Sequence, residues 1–327
     1  MRKSPKKLVV IGGGTGSFTL LKSLKDHFTD ITALVNMVDD GGSTGILRDE
    51  LGVLPPGDVR QCLVALSNSP QVRDLFNYRF EEGSFEGHAF GNILMAALEK
   101  MTGSFTEGVE VASKILNITG KVEPVILNDV QLCMKTSKGE VIKGQSNIEK
   151  SGFASSKPDF WLEPSPEANP KAVSAINQAD IIVIAPGNLY ASLAPALLVP
   201  VVSDAIIASK APKIFVNNLV TKPGQTDNFT VNDFASEIER FIGSDCLDIV
   251  LYNNTQPSKY LLDKYASQGE FGVKFDEIAL STAHYKAIGG NFVGEIFKPS
   301  NKDLLKRTLI RHDSEAIASA IVEVSRG

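Results

Sequence analysis

Short apolar runs recur along the chain, and each is followed by a glycine-bearing loop and a helical pattern. The runs are 8–11 (LVVI), 31–38 (ITALVNMV), 181–185 (IIVIA), 213–217 (KIFVN) and 248–252 (DIVLY). Runs rich in valine and isoleucine and bounded by turn residues are typical of parallel strands buried on both faces. Their alternation with helical patterns predicts an α/β fold built on a doubly wound, mainly parallel sheet.

Two segments depart from this alternation. Between about 59 and 118, apolar residues recur every three or four positions, which predicts a helical segment. Between about 122 and 163, apolar and polar residues alternate around a turn at 137–139, which predicts an inserted antiparallel β-hairpin. An amphipathic helix is expected over 315–326. Because the sequence shows no repeat or low-complexity tract, we expect one domain over residues 1–327.

The first apolar run ends in a glycine-rich loop made of Gly12, Gly13, Gly14, Thr15 and Gly16. A strand, a glycine loop and a helix in succession direct free backbone N–H groups and the positive helix end at an anion. The loop lacks the lysine of a P-loop, and Ser17 stands where the dinucleotide pattern has its third glycine. The loop is therefore either a phosphate site or a tight structural turn. An NAD-dependent oxidoreductase is disfavoured, because no catalytic pair is evident.

Ligands of open parallel sheets bind at the carboxyl ends of the strands, so the loops after the strands are interpreted together. The second strand is followed by Asp39, Asp40, Gly41 and Ser43. Two adjacent carboxylates suit Mg²⁺, which takes one or two carboxylates together with phosphate oxygens. Asp39 also has the spacing of a ribose-binding acid. The alternative is that one aspartate caps the next helix.

The helical segment contributes three further candidates. Asp58 is expected to cap a helix whose first turn contains Arg60, and a nearby anion should offset the repulsion between Arg60 and the helix dipole. His88 lies in a glycine-flanked loop and is one of four histidines in the chain, so it is either a site residue or a structural histidine. Asn92 follows it at the start of the next helix.

Loops after the later strands complete the candidate site. Gly187, Asn188 and Tyr190 repeat the logic of the first glycine loop, and Tyr190 either stacks on a base or sugar or packs in the core. Asn218 and Lys222 follow the next strand, where Lys222 is suited to clamp a phosphate. Near the carboxyl terminus Arg311 precedes Asp313, the expected cap of the last helix, and either reaches the site or forms a surface ion pair.

Composition narrows the class of protein. Hydrophobic residues make up 43% of the chain and mean hydropathy is +0.01, as in globular proteins. The net charge of −5 argues against a nucleic-acid partner. No apolar run is long enough to span a bilayer, so we expect a cytoplasmic protein without a membrane segment. The three cysteines lie too far apart to indicate a zinc site or a disulfide framework. The apolar stretch LAPALLV (193–199) belongs either to the core or to a homo-oligomer interface.

Six motifs in the same order resemble one family. They are VVIGGGTG, VDDGGSTG, LPPGDVRQCLVAL, GHAFGNILMAAL, IAPGNLYASLAPALLV and NNLVTKPGQT. The chain resembles the YvcK-type gluconeogenesis factors of bacteria, within the CofD-like (2-phospho-L-lactate transferase) superfamily. The resemblance implies a Rossmann-like three-layer fold. It implies a UDP-sugar ligand, notably UDP-N-acetylglucosamine, in the gluconeogenesis branch, and a GDP-type donor in the transferase branch.

The resemblance also carries residue-level expectations. In the transferase branch, aspartates at the positions of Asp39 and Asp40 help to hold metal and a deazaflavin acceptor. The glycines and Ser43 that follow the pair here match the gluconeogenesis branch. One departure is APGNLY, where the family usually has GPGSLY, so that Asn188 replaces a serine.

Two functional hypotheses follow from the resemblance. The first, which we favour, is a nucleotide-sugar-binding regulator of cell-wall precursor supply and cell shape during gluconeogenic growth, which binds its ligand without consuming it. The second is a Mg²⁺-dependent transferase of a phosphorylated group from a nucleotide diphosphate donor. In the second hypothesis, Asp40 or His88 would assist proton transfer from an acceptor hydroxyl.

Overall fold

A computed structural model describes residues 3–153, 157–294 and 310–326. Its strands fall into two sheets, one large and parallel, one small and antiparallel. The strands are β1 (Ser4–Ile11), β2 (Phe28–Val35), β3 (Lys121–Pro124), β4 (Gln131–Lys135), β5 (Val141–Lys143), β6 (Asp159–Glu163), β7 (Ile181–Ile184), β8 (Lys213–Val216), β9 (Ile249–Asn253) and β10 (Lys286–Gly290).

The large sheet in the described ranges has seven strands in the order β10-β9-β8-β7-β1-β2-β3, and every neighbouring pair is parallel. The chain proceeds from β1 outward to β2 and β3, then returns to place β7 on the other side of β1. The order therefore reverses between β1 and β7, and this is the position where open α/β sheets bind ligands.

Helices cover the sheet. They are α1 (Gly14–His27), α2 (Gly42–Leu51), α3 (Gly57–Leu66), α4 (Pro70–Asn77), α5 (Phe90–Thr102), α6 (Phe105–Leu116), α7 (Gln145–Lys150), α8 (Pro170–Asn177), α9 (Ala194–Leu197), α10 (Pro200–Ala208), α11 (Val231–Ile242), α12 (Lys259–Ala266), α13 (Glu277–Ser281) and α14 (Ser314–Val324), with a π-helical turn at Leu189–Leu193.

The helices α1, α3 and α14 pack together, as do α8, α10 and α11. Because the connections β1–β2 and β7–β8 run in opposite directions, right-handed crossovers place their helices on opposite faces of the sheet. The expected Rossmann-like three-layer α/β fold is confirmed.

Two strands of the large sheet were not predicted from the sequence. Both lie at the sheet edges, β3 beside β2 and β10 beside β9. The expected hairpin insertion began at 122, but residues 121–124 belong to the parallel sheet, so that boundary was wrong. The hairpin itself is confirmed as β4 and β5, and β6 extends it to three antiparallel strands.

The segment 193–199 belongs to the core, since Leu193 and Leu197 are fully buried. Across the described residues, no single helix combines the length and apolarity needed to cross a bilayer. The nearest approach is a pair bent by 77°, Leu189–Leu197 and Pro200–Ala208, which qualifies by length and composition only.

Candidate functional site

A cleft of about 160 Å³ lies at the point where the strand order reverses. The loops after β1, β7 and β8 form it, together with the segment that precedes α14. It brings together five residues named from the sequence: Thr15, Gly16, Gly187, Asn218 and Arg311. Asn218 also joins two of the loops, because its Nδ2 donates to the carbonyl of Gly187 at 2.8 Å.

The glycine loop is packed tightly against the protein. A Cβ on Gly16 would lie 1.8 Å from the carbonyl oxygen of Pro186, and a Cβ on Gly13 would lie 2.3 Å from Oδ2 of Asp58. A Cβ on Gly12 would meet Oγ of Ser17 at 2.4 Å. At Gly16 the neighbour is backbone, so no larger residue fits, whereas at Gly12 and Gly13 the neighbouring side chains would have to move. Both expectations for the loop therefore have support, since the loop is a tight turn and also borders the cleft.

Asp58 takes up one of the backbone N–H groups of the glycine loop that were expected to bind an anion. It is the second residue of α3 and not its cap, because α3 begins at Gly57 and has Pro56 before it. Its buried carboxyl group accepts hydrogen bonds from the backbone N–H of Gly14 and, at 3.2 Å, from Nδ2 of Asn36. Burial, followed by repulsion from Asp39, raises the pKa of Asp58 to about 7. The expectation that Asp58 caps a helix was wrong, because a contact distant in sequence determines its position.

The aspartate pair lies in the loop between β2 and α2. Oδ1 of Asp39 accepts from the backbone N–H of Gly41 at 3.1 Å, and burial raises the pKa of this carboxyl group. Oδ1 of Asp40 accepts from the backbone N–H of Ser146 at 2.9 Å. Helix α2 itself begins after Gly41 with no side-chain cap, so neither aspartate caps it.

Four predicted residues form one hydrogen-bonded chain. Arg60 Nε donates to Oδ1 of Asn92 at 2.8 Å, and Nδ2 of Asn92 donates to Oγ of Ser43 at 3.2 Å. Oγ of Ser43 lies 3.0 Å from Nδ1 of His88. Arg60, Asn92 and His88 are all buried. The positive charge of Arg60 partly offsets the rise in the pKa of Asp58, so the carboxyl group expected near this arginine is that of Asp58.

Two residues of the second loop have structural roles. The Asn188 side-chain oxygen accepts from the backbone N–H groups of Tyr190 and Ala191, so the asparagine caps the π-helical turn. Tyr190 is 1% exposed, and its ring stacks on Phe160 with centroids 5.1 Å apart. Its hydroxyl group donates to Glu237 at 3.4 Å. The prediction that Tyr190 contacts a ligand is corrected, because core packing surrounds its ring.

Lys222 is paired with a residue that the sequence did not identify. Its Nζ lies 2.6 Å from Oε1 of Glu149 on α7, and the same oxygen accepts from Nδ2 of Asn188 at 3.2 Å. The segment QSNIEK is short and weakly amphipathic, so no local signal indicated that the insertion would reach the sheet edge.

A second cavity, of about 540 Å³, lies along the carboxyl ends of β8 and β9. Asn218 and Leu219 border both cavities. The second cavity is lined by amides and aromatic rings, including Asn217, Asn253, Asn254, Phe271 and Phe275. The sequence signal that would have found it is the pair of asparagines at the carboxyl end of each of these two strands.

Asn217 is more buried than Asn253 or Asn254. It is buried, and no partner for its Oδ1 exists among the described residues. Its backbone carbonyl accepts from Nε2 of His312 at 2.9 Å. Burial lowers the pKa of His312 to about 4, so this imidazole is neutral at pH 7.

Within the described ranges, no group of three or more histidine, cysteine, aspartate or glutamate side chains is arranged to hold a metal ion. The acidic pair Asp39 and Asp40 does not need such a group to suit Mg²⁺, since this ion keeps several waters and takes few protein ligands. Both carboxylates have a first hydrogen-bond donor, which orients them while leaving further lone pairs.

Comparison with known proteins identifies the family. The family model described as 2-phospho-L-lactate transferase CofD matches residues 8–293. A relative from Thermotoga maritima is 42% identical over 323 residues, covering 98% of this chain and 99% of that protein. The gluconeogenesis factor of Bacillus subtilis is 36% identical over 321 residues, covering 97% of this chain and 98% of that protein.

The solved structures agree. A crystal structure of a Bacillus halodurans protein superimposes with a TM-score of 0.90 at 38% identity, covering 98% of this chain and 100% of the other. A second crystal structure, described as a member of the UPF0052 family, superimposes with a TM-score of 0.88 at 37% identity, covering 98% of this chain and 99% of the other. The chain therefore belongs to the CofD family, in the branch of the gluconeogenesis factors.

Proposed function

We propose that the chain is a regulatory protein that binds a nucleotide sugar, UDP-N-acetylglucosamine or a close relative, without consuming it. The observation that carries this proposal is the cleft at the reversal point of the sheet, where Thr15 and Gly16 meet Gly187, Asn218 and Arg311. Thr15 and Gly16 lie in the first turn of α1, whose N–H groups favour an anion. The diphosphate binds there.

The second cavity takes the nucleoside. A pyrimidine presents adjacent donor and acceptor groups, and a side-chain amide provides one of each. The buried Oδ1 of Asn217 has no hydrogen-bond partner among the described residues and is an acceptor suited to an imide N–H, so a donor there would remove the desolvation penalty of this oxygen. Because Asn218 borders both cavities, one extended ligand can occupy them together.

Asp39 and Asp40 are the residues that would hold Mg²⁺. The pKa of Asp39 is raised by burial and, to a smaller extent, by the neighbouring Asp40 and Glu149 carboxylates. A divalent cation at this position would offset that repulsion and neutralise charge on the diphosphate. The sugar and the cation then meet at the loop after β2.

The environment of His88 favours the regulator over the transferase. The residue is 9% exposed, and its Nδ1 lies 3.0 Å from Oγ of Ser43, in the hydrogen-bonded series that ends at Arg60. A general acid or base needs access to the proton it transfers. A histidine in this setting holds the segment before α5 in place, which is a structural role and not a proton-transfer role.

The test is calorimetry with UDP-N-acetylglucosamine, GDP and NAD, each with and without Mg²⁺, followed by chromatography of the ligand. We expect the UDP-sugar to bind most tightly and to be recovered intact. Lys222→Gln should weaken its binding about tenfold, as expected for one charge-assisted hydrogen bond. Lys210→Gln is the matched control, because this exposed lysine precedes β8 and therefore lies at the amino ends of the strands, away from the cleft. A preference for GDP, or conversion of the ligand, would support the transferase.

A further inference from the structure

Helix α7 connects loops from both sides of the reversal point. On one side, the backbone N–H of Ser146 donates to Asp40 in the loop after β2. On the other side, Oε1 of Glu149 accepts from Asn188 after β7 and from Lys222 after β8. In the sheet, β1 lies between β2 and β7, so α7 joins strand-end loops on both sides of β1.

The backbone of α7 is held in this position independently of Glu149. The Ile148 side chain is fully buried in the main core. Nε2 of Gln225 donates to the carbonyl groups of Ile148 and Glu149, at 3.2 and 3.1 Å. The Glu149 side chain itself is 48% exposed, and that of Lys222 is 33% exposed. The carboxylate can therefore rotate away from Lys222 while the helix stays in place.

We propose that Glu149 is an internal competitor for the phosphate of the ligand, an inference that rests on the proposed function. A carboxylate oxygen accepts the same charge-assisted hydrogen bonds as a phosphate oxygen. One oxygen of Glu149 holds both Asn188 and Lys222, two residues at strand ends beside the cleft. A nucleoside diphosphate must displace Glu149 from these donors before it engages them.

This competition sets the affinity and selects the ligand. When only a fraction of the protein has its donors released, the apparent dissociation constant rises by the reciprocal of that fraction. A nucleoside without phosphate does not bind Lys222, so its dissociation constant is not raised by Glu149. Glu149 thus raises the ligand concentration at which the regulator responds, and it does so for phosphorylated ligands only.

The experiment compares Glu149→Gln with wild type for UDP-N-acetylglucosamine, UDP and uridine by calorimetry. The neutral amide keeps the size of the side chain and removes the competing charge. We expect the dissociation constants of the two diphosphates to fall roughly threefold, within the range measured for partly exposed ion pairs. Uridine binding should be unchanged. The double variant E149Q/K222Q should gain less over K222Q than E149Q gains over wild type, because the charged donor Lys222 carries the larger share of the competition and Asn188 the smaller.

The matched control is Glu163→Gln. Glu163 lies on β6 of the same insertion and pairs with Lys143 at 2.9 Å, so this variant makes the same charge change away from Lys222. It should leave all three affinities unchanged. Weaker or unchanged diphosphate binding by E149Q, in a protein that binds nucleotides, overturns the inference alone, since Glu149 would then position Lys222 or have no influence on it. Absence of nucleotide binding in wild type and E149Q alike overturns the proposed function together with the inference.

Discussion

The buried carboxyl group of Asp58 accepts a hydrogen bond from the backbone N–H of Gly14, the first residue of α1. The N–H of Gly14, which would otherwise be free to bind a phosphate, therefore already has a partner within the protein. Thr15 and Gly16 border the cleft, and under the proposed function their N–H groups are the ones that contact the ligand. The Asp58 carboxyl group therefore holds the glycine loop in place and reduces the number of its N–H groups that are available to an anion.

Asp58 should make stability depend on pH. Its pKa rises from an ordinary 3.8 to about 7 on folding, so its contribution is fully present below pH 3.8 and is lost as pH rises through about 7. Between pH 5 and 8, wild type should lose roughly 2 kcal/mol relative to Asp58→Asn, given 1.36 kcal/mol per pKa unit. Urea unfolding at both pH values measures this difference. Parallel pH profiles for the two proteins would contradict the burial of an ionisable Asp58.

His312 should act in the opposite direction. Its pKa falls from 6.5 to about 4 on folding, so its contribution to stability is present above pH 6.5 and is lost as pH falls toward 4. Between pH 7 and 5 wild type should lose roughly 2 kcal/mol relative to His312→Gln. In proton NMR, the His312 ring should show no titration from pH 8 down to pH 5. A midpoint near 6.5 would mean that the ring is solvated.

Gly16→Ala tests the contact between the two glycine loops. The added methyl group would lie 1.8 Å from the carbonyl oxygen of Pro186, so the loops must separate. We expect a loss of about 3 kcal/mol in unfolding free energy, at the upper end of typical overpacking costs. Gly187→Ala, across the same contact, is the control, because its Cβ meets nothing closer than 3.4 Å. Equal stability of the two variants in thermal or urea unfolding would contradict the packing described.

Asn92→Ala tests the chain from Arg60 to His88. The substitution removes the acceptor of the buried Arg60 Nε and the donor to Ser43. We expect unfolding free energy to fall by about 2 kcal/mol, the cost of disrupting a buried charge-assisted hydrogen bond. Asn68→Ala removes an exposed amide that donates to Asn117, where water replaces the lost bond, and should cost much less. Similar losses of unfolding free energy in the two variants would show that the hydrogen bonds from Arg60 to His88 contribute little to stability.

Strongly patterned elements were predictable from the sequence, and elements defined by distant partners were not. The five Val- and Ile-rich runs became β1, β2, β7, β8 and β9, because two buried faces demand continuous apolar side chains. The strands β3 and β10 contain Pro124 and two glycines respectively, residues that local preference places outside strands. Pairing with β2 and β9 overrides that preference.

The same division holds for the candidate site. Loops at strand ends were located from the strands, which brought Thr15, Gly187 and Asn218 to one cleft. Local rules assigned Asp58 to a helix cap, whereas a tertiary contact with Gly14 determines its position. Glu149 was missed for the same reason, because its partner Lys222 is 73 residues away in the chain.

The most direct test is a crystal structure of the protein with UDP-N-acetylglucosamine and Mg²⁺. The account predicts an intact ligand at the carboxyl edge of the sheet. Its diphosphate should lie within hydrogen-bond distance of the N–H groups of Thr15 and Gly16, with the uracil against Asn217. A ligand bound away from this edge, or a cleaved ligand in the cleft, would contradict it.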